Sequence, residues 1–288
     1  MSDALTITGC LHKLQAQGVE RLSAQMLVLH ALGRATTDRA WLLTRGDDIV
    51  APAVMQTLQL LAPRLQAGEP LAYLIGQQAF YGLDLQVDAR VLVPRPDTET
   101  LVDWALEVLQ AQATHSKPLR ALDLGTGSGA IALALKVNLP QLDIHAVDLS
   151  NEALTVARAN AQHLQLPVHF HQGAWFEALP NAAMRFDCIV SNPPYIADQD
   201  PHLAALTHEP AQALSSGADG LDDLRHIIAQ APKWLATDGW LLLEHGYDQA
   251  AAVQALLTQA GFSQVQSRLD LPGIARCTGG QFRAKPRP

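Results

Sequence analysis

A glycine-rich turn between two apolar stretches constrains the fold of this chain more than any other feature. The first stretch ends at Leu124, the turn reads Gly125-Thr126-Gly127-Ser128-Gly129, and an apolar helix is predicted from Ala130 to about Val137. Glycines at a strand-to-helix junction let a ligand approach the backbone. A glycine motif alone also fits a dinucleotide, whose pyrophosphate would sit on the helix N-terminus. The turn therefore predicts a ligand site without identifying the ligand.

Beyond Pro94, apolar runs of strand length alternate with helix-like stretches, which is the βαβ pattern of a parallel sheet. Four such runs are Leu119 to Leu124, Ile144 to Val147, Cys188 to Val190 and Trp240 to Leu243. We expect an α/β fold with a mostly parallel, doubly wound sheet over residues 93–288.

The first 76 residues show apolar spacing of three to four and no strand signals, which predicts a small helical domain. A helix from Ala51 to Gly68 closes this domain, and Pro63 predicts a kink or break inside it. Over residues 77–92 the apolar period changes to two, so we expect a β-hairpin that links the helical domain to the α/β domain.

Charge and composition exclude several classes of protein. The 288 residues carry a formal net charge of −8, which argues against binding to bulk nucleic acid. The three cysteines form no CxxC pair, and neither a signal peptide nor the ~20 apolar residues of a membrane span are found. We therefore expect a cytoplasmic monomer that contacts neither nucleic acid nor membrane and uses no metal.

Two carboxylates and one aromatic residue follow predicted strands and suggest a methyl donor. Asp123 precedes the glycines, where it would repel a pyrophosphate but attract the ammonium and sulfonium of S-adenosylmethionine. Asp148 ends the next strand and can accept both ribose hydroxyls, or it only caps the next helix together with Ser150. Trp175 follows the third strand, where it covers an adenine ring or is an ordinary core aromatic.

The segment Asn192-Pro193-Pro194-Tyr195 follows an apolar strand, which places it at the carboxyl edge of the sheet beside the donor site. Consecutive prolines fix the backbone, so the Asn192 side chain and the Pro193 carbonyl stay in place as acceptors for a planar NH2 group. Tyr195 adds a flat face for an amide or a base. Such tetrapeptides are often only turns. Its position downstream of the glycine motif favours methyl transfer to nitrogen.

Other polar residues allow more than one interpretation. The segment 94–99 opens a predicted helix, and capping explains Thr98 but not Arg95. Glu209 either shapes the acceptor pocket or is a solvated loop charge. His169 and His171 share one face of a strand, but the sequence shows no carboxylate or cysteine partner nearby, so we predict surface residues and not metal ligands.

Taken together, these motifs resemble the HemK/PrmC family, the release factor glutamine N5-methyltransferases, over nearly the whole chain. The resemblance rests on residues 94–99, 123–129, Asp148, Trp175, 191–195 and 209–210. It implies a seven-stranded Rossmann-like class I methyltransferase domain and a helical domain that recognises the release factor. It also implies the substrate, which is the glutamine of the Gly-Gly-Gln loop of class 1 release factors.

The resemblance also implies roles for single residues. S-adenosylmethionine would be bound by Gly125, Thr126, Gly127, Ser128, Gly129, Asp148, Trp175 and Asn192. The glutamine would be held by Asn192, Pro193, Pro194 and Tyr195, with Arg95 and Glu209 as further substrate contacts; Asn192, Pro193 and Tyr195 would be the catalytic residues. Ala174 departs from the family pattern, since many relatives have an acidic residue there that would bind the adenine amino group.

Three rival functions are considered. A DNA adenine or cytosine amino-methyltransferase would use the same NH2-binding clamp, residues 192–195. Such an enzyme should also carry a basic recognition region, which this chain lacks. A ribosomal protein glutamine methyltransferase tends to differ at 94–99. A non-catalytic binding module would not need both Asp123 and the full clamp.

One coincidence lies near the end of the chain, where Gly279-Gly280-Gln281 repeats the tripeptide of the expected substrate. The glycine pair predicts a hairpin turn.

Overall fold

The computed structural model describes residues 5–113 and 118–283, so the outer ends of both predicted domains lie outside the described residues. The chain divides into two compact units, Met1–Gln77 and Gln78–Pro288. No described helix is long and apolar enough to cross a membrane.

The first unit is helical. Its helices are α1 (Ile7–Ala16), α2 (Arg21–Ala31), α3 (Arg39–Thr44), α4 (Pro52–Gln66) and α5 (Leu71–Ile75). In α4, Leu58, Leu61 and Ala62 are buried in the core of this unit. We predicted a kink or a break at Pro63. The break is wrong, because α4 continues to Gln66 and its buried face compensates for the missing N–H, while the kink stays a prediction.

A hairpin follows, with β1 (Gln77–Phe80) paired to β2 (Leu83–Gln86). Positive φ angles of 49° at Tyr81 and 76° at Gly82 form its two-residue turn. Phe80 and Leu85 are buried in the core of the second unit. The hairpin that we predicted as a linker thus packs as part of the larger unit.

The second unit contains a seven-stranded sheet with helices on both faces. Its elements are α6 (Glu99–Gln112), β3 (Arg120–Leu124), α7 (Ala130–Asn138), β4 (Asp143–Asp148), α8 (Asn151–His163), β5 (His169–Gln172), β6 (Phe186–Ser191), α9 (Asp222–Gln230), β7 (Leu235–Glu244), α10 (Ala250–Gln259), β8 (Phe262–Leu269) and β9 (Ala275–Phe282). The strand order is β5-β4-β3-β6-β7-β9-β8, and β9 runs antiparallel to both of its neighbours. The prediction of a mostly parallel Rossmann-like sheet is confirmed.

The apolar runs are continuous because both faces of the central strands are covered. In β3, Ala121 contributes to the core on one face and Leu122 to the core on the other. In β6, Val190 lies in the same core as Ala121, and Ile189 lies in the same core as Leu122. The sheet thereby brings the carboxyl ends of β3, β4, β6 and β7 to a single edge.

The predicted turn at Gly279 and Gly280 is wrong, since both residues lie inside β9. A Cβ atom on Gly279 would lie 2.7 Å from the carbonyl oxygen of Leu241, and one on Gly280 would lie 2.9 Å from Cβ of Phe262. These glycines are therefore explained by close packing and not by a turn.

Candidate active site

The glycine turn after β3 is fixed by backbone hydrogen bonds to the neighbouring strand. The N–H groups of Gly125 and Thr126 both donate to the Val147 carbonyl at 2.9 Å. Gly125 has a φ of +72°, and a Cβ atom there would lie 3.5 Å from the Trp175 ring. Glycine is thus required here for the left-handed backbone, and the tryptophan ring lies in ordinary van der Waals range of this position.

Asp148, at the end of β4, accepts two backbone hydrogen bonds. Its Oδ2 accepts from the Gly127 N–H and its Oδ1 from the Ser150 N–H, both at 2.8 Å. Ser150 itself caps α8, because its Oγ accepts from the Ala153 N–H at 3.1 Å. Burial raises the pKa of Asp148. Each oxygen keeps a further lone pair, so these contacts leave Asp148 able to bind hydroxyl groups.

Asp123 lies behind the glycine turn and is fully buried. Its Oδ2 accepts from the Thr126 hydroxyl at 2.6 Å and from the Ala132 N–H at 3.2 Å, while Oδ1 has no partner among the described residues. Burial raises its pKa to about 7. The carboxylate thus holds the turn through Thr126 and Ala132, and its attraction for the positive groups of the donor stays a prediction.

A cavity of about 360 Å³ opens above this turn, within the size range of small-molecule sites. The residues that line it include Gly125, Gly127, Asp148, Trp175, Asn192 and Pro194. Thr126, Ser128, Gly129, Pro193, Tyr195, Arg95 and Glu209 lie outside the lining. Two lining segments, 90–92 and 212–215, were missed because their sequences resemble ordinary loops.

The Asn192 carboxamide is oriented by a chain of side chains behind it. Its Nδ2 donates to Thr98 Oγ1 at 3.3 Å, and the Thr98 side chain lies close enough to the Glu244 carboxylate to lower its pKa. A hydroxyl has one proton, so when Thr98 donates to the carboxylate it can only accept from Asn192. This arrangement turns Nδ2 towards Thr98 and leaves Oδ1 of Asn192 as an acceptor for a ligand.

Glu244 is a residue that the sequence interpretation missed. It ends β7, is 1% exposed, and its Oε1 accepts a long 3.4 Å hydrogen bond from the Tyr195 hydroxyl. Its Oε2 has no partner among the described residues, and burial raises its pKa to about 7. The available signal was a carboxylate at the end of an apolar strand, as at Asp148.

Tyr195 is held in place by hydrogen bonds of its backbone and of its hydroxyl group. Its N–H donates to the Leu214 carbonyl at 3.2 Å, and its carbonyl accepts from Gln249 Nε2 at 2.9 Å. Burial raises the pKa of the phenol well above its usual range. The hydroxyl is therefore protonated and available to Glu244.

Arg95 and Glu209 form an ion pair. The Glu209 side chain is 3% exposed and also accepts from the Val93 N–H at 3.1 Å. The alternative of a solvated loop charge is therefore wrong for Glu209. The pair anchors the segment before α6, which carries Thr98.

Comparisons with known proteins agree with this architecture. Residues 7–76 match the model of the PrmC N-terminal domain and residues 98–221 that of the methyltransferase small domain. A release factor glutamine methyltransferase from Bordetella pertussis is 50% identical over 265 residues, which are 91% of this chain and 95% of that protein. One from Xylella fastidiosa is 48% identical over 266 residues, 91% of this chain and 94% of that protein.

A solved structure shares the fold. It is the N-terminal domain of human METTL16 in complex with SAH, with a TM-score of 0.53 and 18% identity over 71% of this chain and 77% of that one.

Proposed function

This chain belongs to the family of release factor glutamine methyltransferases, and we propose that it methylates the side-chain amide N5 of a glutamine in peptide chain release factors. The proposed target is the glutamine of the Gly-Gly-Gln loop, with S-adenosylmethionine as the methyl donor. The observation that carries this proposal is the Asn192 carboxamide, which lines the cavity and is oriented from behind by Thr98.

An amide nitrogen is a poor nucleophile because its lone pair is shared with the carbonyl. We propose that Asn192 Oδ1 and the Pro193 carbonyl accept hydrogen bonds from the glutamine NH2 and thereby aim it at the methyl group. The N–C bond forms as the C–S bond breaks, its electron pair passes to sulfur, and the amide proton leaves to water. Orientation of this kind can supply several of the ~7–11 kcal/mol available from proximity.

The donor supplies a methyl group on a sulfonium, which is already a good leaving group, so the proposed transfer needs no metal. In this proposal Asp148 accepts the ribose hydroxyls, Trp175 covers the adenine, and the turn Gly125, Thr126, Gly127, Ser128 and Gly129 approaches the donor through its backbone. The cavity volume and the approach of Trp175 to Gly125 support this placement. Asp123 acts indirectly, by holding Thr126.

The acceptor side and the setting of the reaction complete the proposal. Tyr195 and Pro194 flank the glutamine, while Arg95 and Glu209 keep the segment before α6 in place. The helical domain, residues 1–76, recognises the release factor, and the hairpin region 77–92 connects it to the catalytic residues 93–288. We propose a cytoplasmic monomer without direct nucleic-acid or membrane contacts, consistent with the net charge of −8.

One experiment tests this function directly. The full chain is incubated with labelled S-adenosylmethionine and a purified release factor, and the methyl group is mapped by mass spectrometry. A release factor with glutamate in place of the loop glutamine is the matched control and should remain unmethylated. Methyl groups on a ribosomal protein glutamine, on DNA, or on another release factor residue would overturn the proposal.

A further inference from the structure

A second polar cluster lies on β4 and β5, away from the cavity. In the parallel register His145 lies opposite His169, and Val147 lies opposite His171. Asp143 is two residues before His145 on the same strand, so its side chain shares that face. The sequence interpretation found no carboxylate near the two β5 histidines, and the sheet supplies one from the neighbouring strand.

Three ligand atoms converge in this cluster. Asp143 Oδ1 lies 3.3 Å from His145 Nε2 and 3.5 Å from His169 Nε2, and all three atoms lie within 4.8 Å of one another. Protein N–H···O hydrogen bonds are usually 2.7–3.2 Å long, so both contacts are longer than that range. Two ligands at 2.0–2.1 Å from a tetrahedral Zn²⁺ are separated by about 3.3–3.4 Å, which equals the first contact and is slightly shorter than the second.

Neighbouring side chains orient two of these ligands. Arg120 Nε donates to Asp143 Oδ2 at 2.7 Å, which leaves Oδ1 directed towards the histidines. His145 Nδ1 lies 2.8 Å from His171 Nε2, so His145 can donate from Nδ1 and keep the lone pair on Nε2. Metal-binding histidines usually donate their second ring N–H in this manner.

We propose that Asp143 Oδ1, His145 Nε2 and His169 Nε2 bind a divalent transition-metal ion of the Zn²⁺ class, with a fourth position open to water. Two imidazoles and one carboxylate suit Zn²⁺ better than Mg²⁺, which prefers oxygen ligands. The His169 side chain is 65% exposed, so an ion reaches the site from solvent. The ion would join the four-residue edge strand β5 to β4 and stabilise the folded state by binding to it.

Co²⁺ is the probe, because its visible absorption is strong only in a tetrahedral site. Untagged, chelator-treated full-length protein is titrated with Co²⁺ and then with Zn²⁺ as competitor. We expect one Co²⁺ per chain with a tetrahedral spectrum that Zn²⁺ abolishes. In His169→Gln the spectrum should be lost, and in His171→Asn the Co²⁺ affinity should fall by roughly 10- to 100-fold.

The matched control is His163→Gln, which removes an exposed histidine at the end of α8 and should bind Co²⁺ like the wild type. Thermal unfolding without metal shows whether each variant is folded. A wild-type titration without a tetrahedral spectrum, or equal Co²⁺ affinity in folded His169→Gln, would overturn the proposal.

Discussion

The donor and acceptor halves of the active site contain similar carboxylates but are assembled differently. In the donor half, Asp123 binds Thr126, three positions away, and Asp148 binds Gly127, 21 positions away. In the acceptor half, Asn192 meets Thr98 across 94 positions. The contacts of Asp123 and Asp148 are made within the single unit β3-α7-β4, whereas the contact of Asn192 joins segments that are distant in the sequence.

Both halves nevertheless contain a buried carboxylate that contacts other residues of the site. Asp123 and Glu244 each lie at or near the carboxyl end of a buried strand, each has one oxygen without a partner among the described residues, and each has a pKa raised to about 7 by burial. Burying such a carboxylate is unfavourable unless its hydrogen bonds compensate for the loss of hydration. Asp123 holds a backbone turn, whereas Glu244 lies beside Thr98, which accepts from the Asn192 side chain that lines the cavity. We therefore expect mutations in the two halves to affect different kinetic constants.

Asn192→Ala should have the largest effect and would show whether the acceptor half controls the chemical step. Loss of the oriented acceptor should lower kcat by about 10²–10³-fold, by analogy with removal of other pre-organised polar groups. Donor affinity, measured by isothermal titration, should stay close to that of the wild type. Asn181→Ala, at an exposed loop position, is the control. Wild-type turnover in Asn192→Ala would end the clamp mechanism.

Asp148→Ala tests the opposite half. Hydrogen bonds to charged groups contribute about 1.5–3 kcal/mol, so donor affinity should fall roughly 10- to 100-fold, mainly as a raised KM. Asp84→Ala, on an exposed face of the hairpin, should leave KM unchanged. If donor affinity does not change, Asp148 only holds the Gly127 and Ser150 amides.

Glu244→Gln should separate catalysis from stability. A glutamine NH2 would donate to Thr98, which could then donate to Asn192 and turn its amide, so we expect kcat to fall about tenfold. Glu177→Gln, which is exposed, is the control. Unchanged kcat in Glu244→Gln would show that Thr98 orients Asn192 without the carboxylate.

The same variant has a defined pH dependence. Because folding raises the pKa of Glu244 from 4.5 to about 7, the folded state is penalised progressively as pH rises through this window. One pKa unit is equivalent to about 1.4 kcal/mol, so Glu244→Gln should be more stable than the wild type by at most about 3 kcal/mol above pH 7. This advantage should shrink towards pH 4.5 when unfolding is measured in urea. A difference in unfolding free energy between the variant and the wild type that does not change with pH would refute the raised pKa of Glu244.

Arg95→Met should have the smallest effect. Arg95 is partly exposed, but its loss leaves the buried Glu209 carboxylate with the Val93 N–H as its one partner among the described residues. We therefore expect destabilisation of about 1–2 kcal/mol and a few-fold rise in KM for the release factor. The control is Arg225→Met, which breaks exposed ion pairs with Asp219 and Asp222 and should change stability by less than about 0.5 kcal/mol. Equal effects of the two variants would show that Arg95 does not contribute to the acceptor half of the site.

The contrast between the halves also explains what the sequence could predict. The alternation of apolar runs predicts the sheet, and Asp148 and the glycines are close in sequence, so their proximity follows from one βα unit. The Thr98–Glu244 contact depends on the order of strands, which apolar periodicity does not specify. The break predicted at Pro63 and the hairpin turn predicted at Gly279 and Gly280 were wrong for a related reason, because local preference was overridden by packing in the core.

The strand position of Gly279 and Gly280 has a consequence for self-recognition. An enzyme that carries its substrate's tripeptide needs to distinguish its own copy from that of its partner. Here Gln281 lies in β9, and its Nε2 donates to the Asp238 carbonyl at 3.1 Å while its Oε1 accepts from Gln264 Nε2 at 2.7 Å. Because both ends of the Gln281 carboxamide are hydrogen-bonded beside a strand, this side chain is not available to a catalytic clamp. The two copies of the tripeptide have the same sequence, so the enzyme distinguishes them by their conformation.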